Sequence, residues 1–253
     1  MNEFSAYLSA LKSNLLDRST LDQIKKSKIE DIYDILKRTP YGKHFSYRDT
    51  LKISLEVAID KRFREILEKI SKRQDIEELI LEYEIENAIH NLDQKIRNVE
   101  KPHLISYFDN KEKLMRLYKN STVQGFLMGM KIYRYTKASD ILELDKFYLF
   151  WKRKLANMFP NIRRALLFEY NIRNYLIQRL NGNSPNTDVP KEIKEEELYK
   201  AEIIADNLIV NKYLSLYSYT WETVEKAYIV IKAYYIEKRF LLGVINESPG
   251  YRN

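Results

Sequence analysis

A helical motif that occurs twice constrains this chain more than any other feature of its sequence. The first copy runs from Leu79 to Arg97 (LILEYEIENAIHNLDQKIR), and the second runs from Leu166 to Leu180 (LLFEYNIRNYLIQRL). Both contain the pattern Glu-Tyr-x-Ile-x-Asn, which aligns Glu82 with Glu169, Tyr83 with Tyr170 and Asn87 with Asn174. A unit that recurs along a chain predicts a repeat architecture, in which each unit packs on its neighbours.

A weaker third copy lies near the end of the chain, from Val230 to Gly243 (VIKAYYIEKRFLLG). Tyr234 takes the tyrosine position of the motif, and Lys238 replaces the asparagine. The clearest linker precedes this copy, from Asn181 to Pro190, and contains two prolines and a turn pair. We therefore expect a single all-helical domain made of three repeats, about 1–101, 102–184 and 185–253.

The motif is predicted to lie on amphipathic helices. In the first copy the apolar residues follow steps of three and four positions, as one face of an α-helix requires: Leu81, Ile85, Ala88, Leu92 and Ile96. Asparagine is a poor residue for a helix interior, so its presence at one register in both copies needs a reason. Two interpretations stay open: a solvated polar face, or a side-chain amide that bonds a neighbouring helix and fixes the packing of its unit.

Spacing and the scarcity of helix breakers predict an all-α fold. The chain contains six glycines and six prolines in 253 residues, so long segments run without interruption. The longest predicted helices are Leu51–Ser71, Asp75–Val99, Ile141–Met158, Ile162–Leu180 and Trp221–Ile245, the last of them capped by Thr220. Two shorter helices are predicted at Glu195–Asp206 and Val210–Tyr217. No apolar run approaches the length of a membrane span, so we expect no transmembrane segment.

The sequence offers no recognisable catalytic motif. The three histidines, His44, His90 and His103, lack the spacing to a second ligand that a metal site requires. Cysteine is absent, which excludes disulfides and thiolate metal sites. Neither a phosphate-binding loop nor a nucleophile elbow occurs. We therefore expect no catalytic residues, no bound metal and no cofactor.

Tyrosine is abundant, with twenty copies in the chain. Aromatic residues interleaved with basic ones can form stacking platforms for single-stranded nucleic acid. Here the tyrosines follow the apolar stripes of the predicted helices instead. The following five are therefore predicted to lie in the core: Tyr148, Tyr175, Tyr228, Tyr234 and Tyr235.

A net charge of +7 suggests an anionic partner, which could be nucleic acid, an anionic membrane surface or an acidic protein. The basic residues form small local groups and not one block. One such group flanks the turn near Pro160 between two long predicted helices, and it consists of Lys152, Arg153, Lys154, Arg163 and Arg164. We hypothesise that this hairpin tip meets the acidic surface of a protein partner.

In the order of its motifs the chain resembles the C-type central-stalk component of archaeal and bacterial A/V-type rotary ATPases, the counterpart of the d-type component of the eukaryotic enzymes. The segment from Leu36 to Tyr41 looks like the family's Leu-x-x-Thr-x-Tyr pattern and singles out Thr39 and Tyr41. The two motif helices look like its repeated helices, and the segment KAYIVIKAYYIEKRFLLGVIN looks like its final helix and singles out Glu237. The chain is shorter than typical members, mainly in the third repeat.

The resemblance implies a funnel of three pseudo-repeats, each built from short helices followed by a long helical hairpin. It implies a non-catalytic central-stalk subunit that links the rotating shaft to the membrane proteolipid ring and so couples ATP hydrolysis or synthesis to proton or sodium transport. The protein would then be cytoplasmic and peripheral on the membrane through the ATPase complex, with no direct nucleic-acid partner. The alternative is a basic helical adaptor or nucleic-acid-binding protein.

Overall fold

The computed structural model describes residues 3–46, 48–73, 79, 82, 83 and 138–246. All regular secondary structure in these residues is helical, as predicted. Single helical residues are also described at Leu79, Glu82 and Tyr83. The helices are α1 (Glu3–Ser13), α2 (Arg18–Lys26), α3 (Ile29–Lys37), α4 (Leu51–Ser71), α5 (Ala138–Met158), α6 (Arg163–Leu180), α7 (Lys191–Lys194), α8 (Leu198–Leu216) and α9 (Thr223–Ile245), with short 3-10 turns at Gly42–His44 and Tyr217–Tyr219.

Helix α9 is the centre of the described fold. Nineteen of its 23 residues are buried, charged ones among them, so the helix is surrounded by other parts of the protein. It packs against α1, α4 and α8. Helix α8 in turn packs against α6, and α6 pairs with α5 across the short turn at 159–162. The chain thus brings its last helix between its N-terminal helices and the α5–α6 hairpin.

Several predicted boundaries agree with the structure, and the reasons are local. Helix α4 spans Leu51–Ser71 as predicted, and the linker 181–190 contains no helix. Helix α2 begins at Arg18, because the Asp17 carboxylate accepts a 2.8 Å hydrogen bond from the backbone N–H of Thr20 and so caps the helix. A Cβ atom added to Gly42 would lie 2.1 Å from the carbonyl oxygen of Lys37, so the turn after α3 requires glycine.

Two predictions about the last third of the chain are wrong. The predicted helices Glu195–Asp206 and Val210–Tyr217 are one helix, α8, because no glycine or proline interrupts the chain between them and the buried Ala205 and Ile209 continue the apolar face. Thr220 does not cap the last helix. Its hydroxyl donates a 2.9 Å hydrogen bond to the carbonyl oxygen of Leu216, at the end of α8, and α9 begins only at Thr223.

The predicted core residues lie inside the protein. Tyr148, Tyr175, Tyr228, Tyr234 and Tyr235 are all buried. In the part of the chain that the structure describes, no helix is both long and apolar enough to cross a bilayer. The funnel shape and the division into three repeats stay predictions.

Candidate functional site

The glutamates of the two motif copies meet in the protein interior. Glu82, from the first copy, and Glu169, from the second, both pair with two lysines, Lys152 of α5 and Lys232 of α9. Three tyrosines complete the group, one each from α5, α8 and α9. We call this group the ion-pair cluster, and it consists of Glu82, Lys152, Glu169, Lys232, Tyr148, Tyr213 and Tyr228.

Each lysine in the ion-pair cluster bridges both carboxylates. The Lys152 ammonium lies 2.6 Å from Oε2 of Glu169 and also donates to Oε1 of Glu82. The Lys232 ammonium lies 2.8 Å from Oε1 of Glu82 and 2.7 Å from Oε1 of Glu169. The two positive and two negative charges therefore alternate around a closed ring.

The three tyrosines supply neutral donors to the same carboxylates. Tyr228 donates to Oε2 of Glu82 at 2.7 Å and accepts from Lys152 at 3.0 Å. Tyr213 donates to Oε2 of Glu169 at 2.8 Å, and Tyr148 donates to its Oε1 at 3.2 Å. Burial, followed by the nearby carboxylates, raises the pKa of Tyr213 and Tyr228 well above the usual value, so both phenols keep their protons and remain donors.

The ion-pair cluster is closed to solvent. All four charged side chains are 0% exposed, and their formal charges sum to zero. An isolated buried charge costs several kcal/mol, and only mutual pairing with further hydrogen bonds offsets that cost. A substrate would reach these groups only if the helices separated. The chemistry of the site is therefore electrostatic cross-linking of α5, α6, α8, α9 and the helical residues around Glu82.

The described residues also contain no group of three or more histidine, cysteine, aspartate or glutamate side chains that could hold a metal ion. The acidic members of the ion-pair cluster face ammonium groups and phenols at hydrogen-bonding distance. Their oxygens already accept hydrogen bonds from these groups, and a metal ion would have to displace them.

A second buried contact joins two residues singled out by the family resemblance. The Tyr41 hydroxyl, after α3, donates to the carboxylate of Glu237 in α9, and the backbone N–H of Leu16 donates to the same carboxylate at 2.7 Å. Burial raises the pKa of Glu237 to about 7. Thr39 makes a local contact just after α3, where its hydroxyl donates to the carbonyl oxygen of Leu36 at 2.7 Å.

The motif tyrosines occupy different environments. Tyr234 is buried, donates to the carbonyl oxygen of Leu11 at 2.7 Å and lies beside the Arg62 guanidinium. Tyr83 is buried against Phe63 and Tyr235. Tyr170 is only partly buried.

Of the two motif asparagines, Asn174 is described and Asn87 lies outside the described residues. The Asn174 amide donates to the hydroxyl of Thr187 at 3.2 Å and accepts from Gln178 at 3.3 Å. Thr187 belongs to the linker between α6 and α7. Asn174 is partly buried and bonds a loop and its own helix instead of a neighbouring helix, so the second interpretation of this position is not confirmed.

The predicted partner surface divides into buried and exposed residues. Lys152 was assigned to it wrongly: its side chain is 0% exposed, because it compensates the carboxylates of Glu82 and Glu169. Arg153, Arg163 and Arg164 are exposed, and the Arg153 guanidinium lies over the Tyr170 ring at 4.7 Å from its centre. Lys154 is partly buried and lies over Trp151.

Sequence reasoning aligned Glu82 with Glu169 but did not identify them as members of a site. The signal that it missed is Lys232, a lone cation within the apolar run AYIVIKAYYI of α9. A charged residue inside such a run requires an internal partner of opposite charge. The best partners in the sequence were the two glutamates that share one register of the repeated motif.

When compared with protein-family models, curated proteins and solved structures, the chain shows no significant match.

Proposed function

We propose that this protein is the non-catalytic central-stalk subunit of a V/A-type rotary ATPase, the socket that links the rotating shaft to the membrane proteolipid ring. In that position it couples ATP hydrolysis or synthesis to proton or sodium transport. One observation carries the proposal. Glu82 and Glu169, which share a register in the two motif copies, pair with the same two lysines.

This observation supports the proposal because the resemblance to the rotary-ATPase family depends on the motif copies being related. If the two motif helices resembled each other only by chance, their equivalent glutamates would not be expected to contact the same two lysines. Here the equivalent glutamates occupy matched positions, each bridged by Lys152 and Lys232. A common role for the two copies is what a duplicated unit predicts.

The cluster also suits the mechanical task of such a socket. A part that passes torque between two partners must keep its helices in fixed register under load. Breaking one partner of a buried ion pair costs about 3–5 kcal/mol, so sliding one helix past another in this region is strongly opposed. The protein would contribute rigidity and binding surfaces, and the reaction would take place in other subunits.

The partners in this proposal are the proteolipid ring and the shaft subunits, and the protein is cytoplasmic and peripheral on the membrane through them. The test is purification of the tagged chain from its native membranes after solubilisation in mild detergent. We expect the ATPase catalytic subunits and the proteolipid to elute with it. If the chain elutes without them while the rest of the complex stays assembled, the proposal is wrong.

A basic helical adaptor or nucleic-acid-binding protein is the second candidate. The net charge of +7 and the exposed Arg153, Arg163 and Arg164 favour it. Binding through phosphates weakens steeply as salt rises, because each neutralised phosphate releases counterions. Tight, salt-sensitive binding of the purified chain to single- or double-stranded oligonucleotides, without retention by the ATPase, would favour this function over the first.

A further inference from the structure

Two large aromatic side chains stand exposed on one loop. Tyr219 is 77% exposed and Trp221 is 85% exposed, and only one residue separates them in the segment between α8 and α9. Such side chains are usually at least half-buried, because each carries a large apolar area. A neighbouring pair left in water marks a surface that is covered in some other state of the protein.

Cations lie beside Tyr217, the residue that begins the loop carrying this pair. The ammonium groups of Lys12 and Lys226 lie 4.6 Å and 5.6 Å from the centre of the Tyr217 ring, at the start of the same loop. Lys226 belongs to the first turns of α9, and Lys12 to the end of α1. The aromatic loop is therefore flanked by positive charge from two helices.

The start of α6, directly after its turn with α5, brings two arginines near the start of α9. Asn161, in this turn, donates from its backbone N–H and its side-chain amide to the carboxylate of Glu225, at 3.0 Å and 2.6 Å. Glu225 lies in the first turn of α9, four residues after Trp221. The exposed Arg163 and Arg164 follow Asn161 closely, at the start of α6.

These contacts define what we call the aromatic–basic end, formed by Lys12, Arg163, Arg164, Tyr219, Trp221 and Lys226. The described start of α9 also brings Glu222 and Glu225 to this region. Glu222 is exposed, whereas Glu225 is buried and its carboxylate is satisfied by Asn161. The end thus combines protruding aromatics with an excess of positive charge.

We propose that the aromatic–basic end binds the surface of an anionic phospholipid bilayer. Tryptophan and tyrosine rings prefer the headgroup region, where their apolar body and polar edge are both accommodated. Lysine and arginine beside them are attracted to anionic headgroups. Neither signal alone gives stable binding, but an apolar insertion combined with basic residues does.

The exposure of its two aromatic side chains favours lipid over a protein partner for the loop that carries them. Aromatic side chains at the centre of a protein interface fill packed pockets surrounded by a rim. Tyr219 and Trp221 instead project from a loop at exposures of 77% and 85%, so they can enter a soft headgroup layer without a complementary cavity. The inference does not depend on the proposed function, because direct lipid contact requires no other part of the ATPase.

The chain provides its own fluorescent reporter. Its two tryptophans differ sharply, since Trp151 is 0% exposed and Trp221 is 85% exposed. The purified full-length chain should be mixed with phosphatidylcholine vesicles with or without phosphatidylserine. We expect it to sediment with the phosphatidylserine vesicles, its emission to shift to the blue and quenching by acrylamide to fall. Trp221→Phe should abolish the spectral change, because Trp151 is already buried.

Variants separate the two components of binding. Tyr219→Ala combined with Trp221→Ala should weaken vesicle binding about tenfold or more, which corresponds to about 1.4 kcal/mol. Arg163→Glu combined with Arg164→Glu should weaken it similarly and remove most of its dependence on salt. Two control variants should have little effect on vesicle binding. The first is Phe150→Ala, at an aromatic residue of α5 that is 57% exposed. The second combines Arg18→Glu with Lys191→Glu, at two exposed basic residues.

Three results would overturn the proposal. The first is that the wild-type chain does not sediment with phosphatidylserine vesicles. The second is that it does so equally well without Tyr219 and Trp221. The third is that the emission of Trp221 responds to an oligonucleotide or an acidic polypeptide and not to vesicles, which would assign this end to a macromolecular partner.

Discussion

Tyr41 and Glu237 lie 196 residues apart in the chain, and the Tyr41 phenol donates a hydrogen bond to the Glu237 carboxylate in the protein core. The backbone N–H of Leu16 donates to the same carboxylate. One buried acid thus joins the loop after α1, the turn after α3 and the central helix α9. Because Tyr41 lies next to Gly42, whose missing Cβ permits the turn, the contact also depends on the local backbone.

Glu237 should make the stability of the protein depend on pH. Its pKa is raised to about 7, chiefly by burial, whereas an unfolded glutamate titrates at 4.5. Between these values the folded state binds more protons than the unfolded state, so the contribution of Glu237 is complete below pH 4.5 and is lost as pH rises through 7. The loss amounts to at most about 3 kcal/mol.

The variant Glu237→Gln should remove this pH dependence. The free energy of unfolding, measured by urea denaturation between pH 4.5 and 8, should fall with pH in the wild type relative to the variant. The pKa of His44 is lowered by burial, which gives the opposite trend below its usual value of 6.5, but His44 is present in both proteins and cancels in the difference. Parallel curves for the two proteins would show that Glu237 is ionised at all these pH values.

The ion-pair cluster predicts a large loss of stability when one member is removed. Lys232→Met leaves Glu82 and Glu169 with Lys152 as the ammonium that bridges them among the described residues, and breaking a buried pair costs about 3–5 kcal/mol. The matched control is Lys72→Met, because Lys72 pairs with Glu68 at 2.7 Å but both side chains are more than half exposed. The control should change the free energy of unfolding by less than about 0.5 kcal/mol.

A double-mutant cycle tests whether the charges in the ion-pair cluster act together. Glu82→Gln with Lys232→Met should be less destabilising than the sum of the single changes, because the double variant leaves fewer charges unpaired. If Lys232→Met costs no more than Lys72→Met in urea denaturation, the charges are not held in a closed ring and the assignment of the cluster is wrong.

The helices were largely predictable from the sequence, because their signals are local. Helix α4 was predicted from apolar spacing over a stretch without glycine or proline, and Asp17 is a local capping residue at the start of α2. Helix α8 was predicted as two helices, although Ala205 and Ile209 continue its apolar face, and its packing against α6 and α9 adds to the stability of the continuous helix. Propensity alone does not contain that tertiary contribution.

The site was less predictable, because it depends on which helices meet. The resemblance singled out both Tyr41 and Glu237, yet nothing local indicates that residues 196 positions apart are bonded. Lys152 was assigned to the surface because it stands in the basic triplet Lys152-Arg153-Lys154. Neighbours in a helix point in directions about 100° apart, so one residue of such a triplet can be buried while the next is exposed.

Asn174 should contribute modestly to stability through its bond to the linker. Asn174→Leu removes the 3.2 Å hydrogen bond to Thr187, and a partly buried hydrogen bond of this kind is worth about 1 kcal/mol. Thr187→Val should cost a similar amount, and the double variant should cost little more than either single change. Thermal denaturation of the three variants checks this, and strictly additive losses would show that the two side chains do not interact.

The corrected basic surface gives a test of the proposed function. Arg153, Arg163 and Arg164 are exposed, so reversing all three to glutamate should leave the free energy of unfolding within about 1 kcal/mol of the wild type. Charged residues at the rim of an interface act on association, and opposed charges lower affinity. We therefore expect the triple variant to be lost from the detergent-solubilised ATPase, with uncoupling of ATP hydrolysis from ion transport in membranes.

An experiment in detergent distinguishes binding to the ATPase from binding to lipid, because no bilayer is present. In the absence of a bilayer, Tyr219→Ala combined with Trp221→Ala should leave the chain bound to the ATPase, whereas the triple arginine variant should dissociate. Lys152→Glu is unsuitable as a fourth reversal, because it would place a third carboxylate beside Glu82 and Glu169 in the core. Retention of a folded triple variant would show that the partner binds elsewhere, and failure of the wild-type chain to purify with the ATPase would refute the function itself.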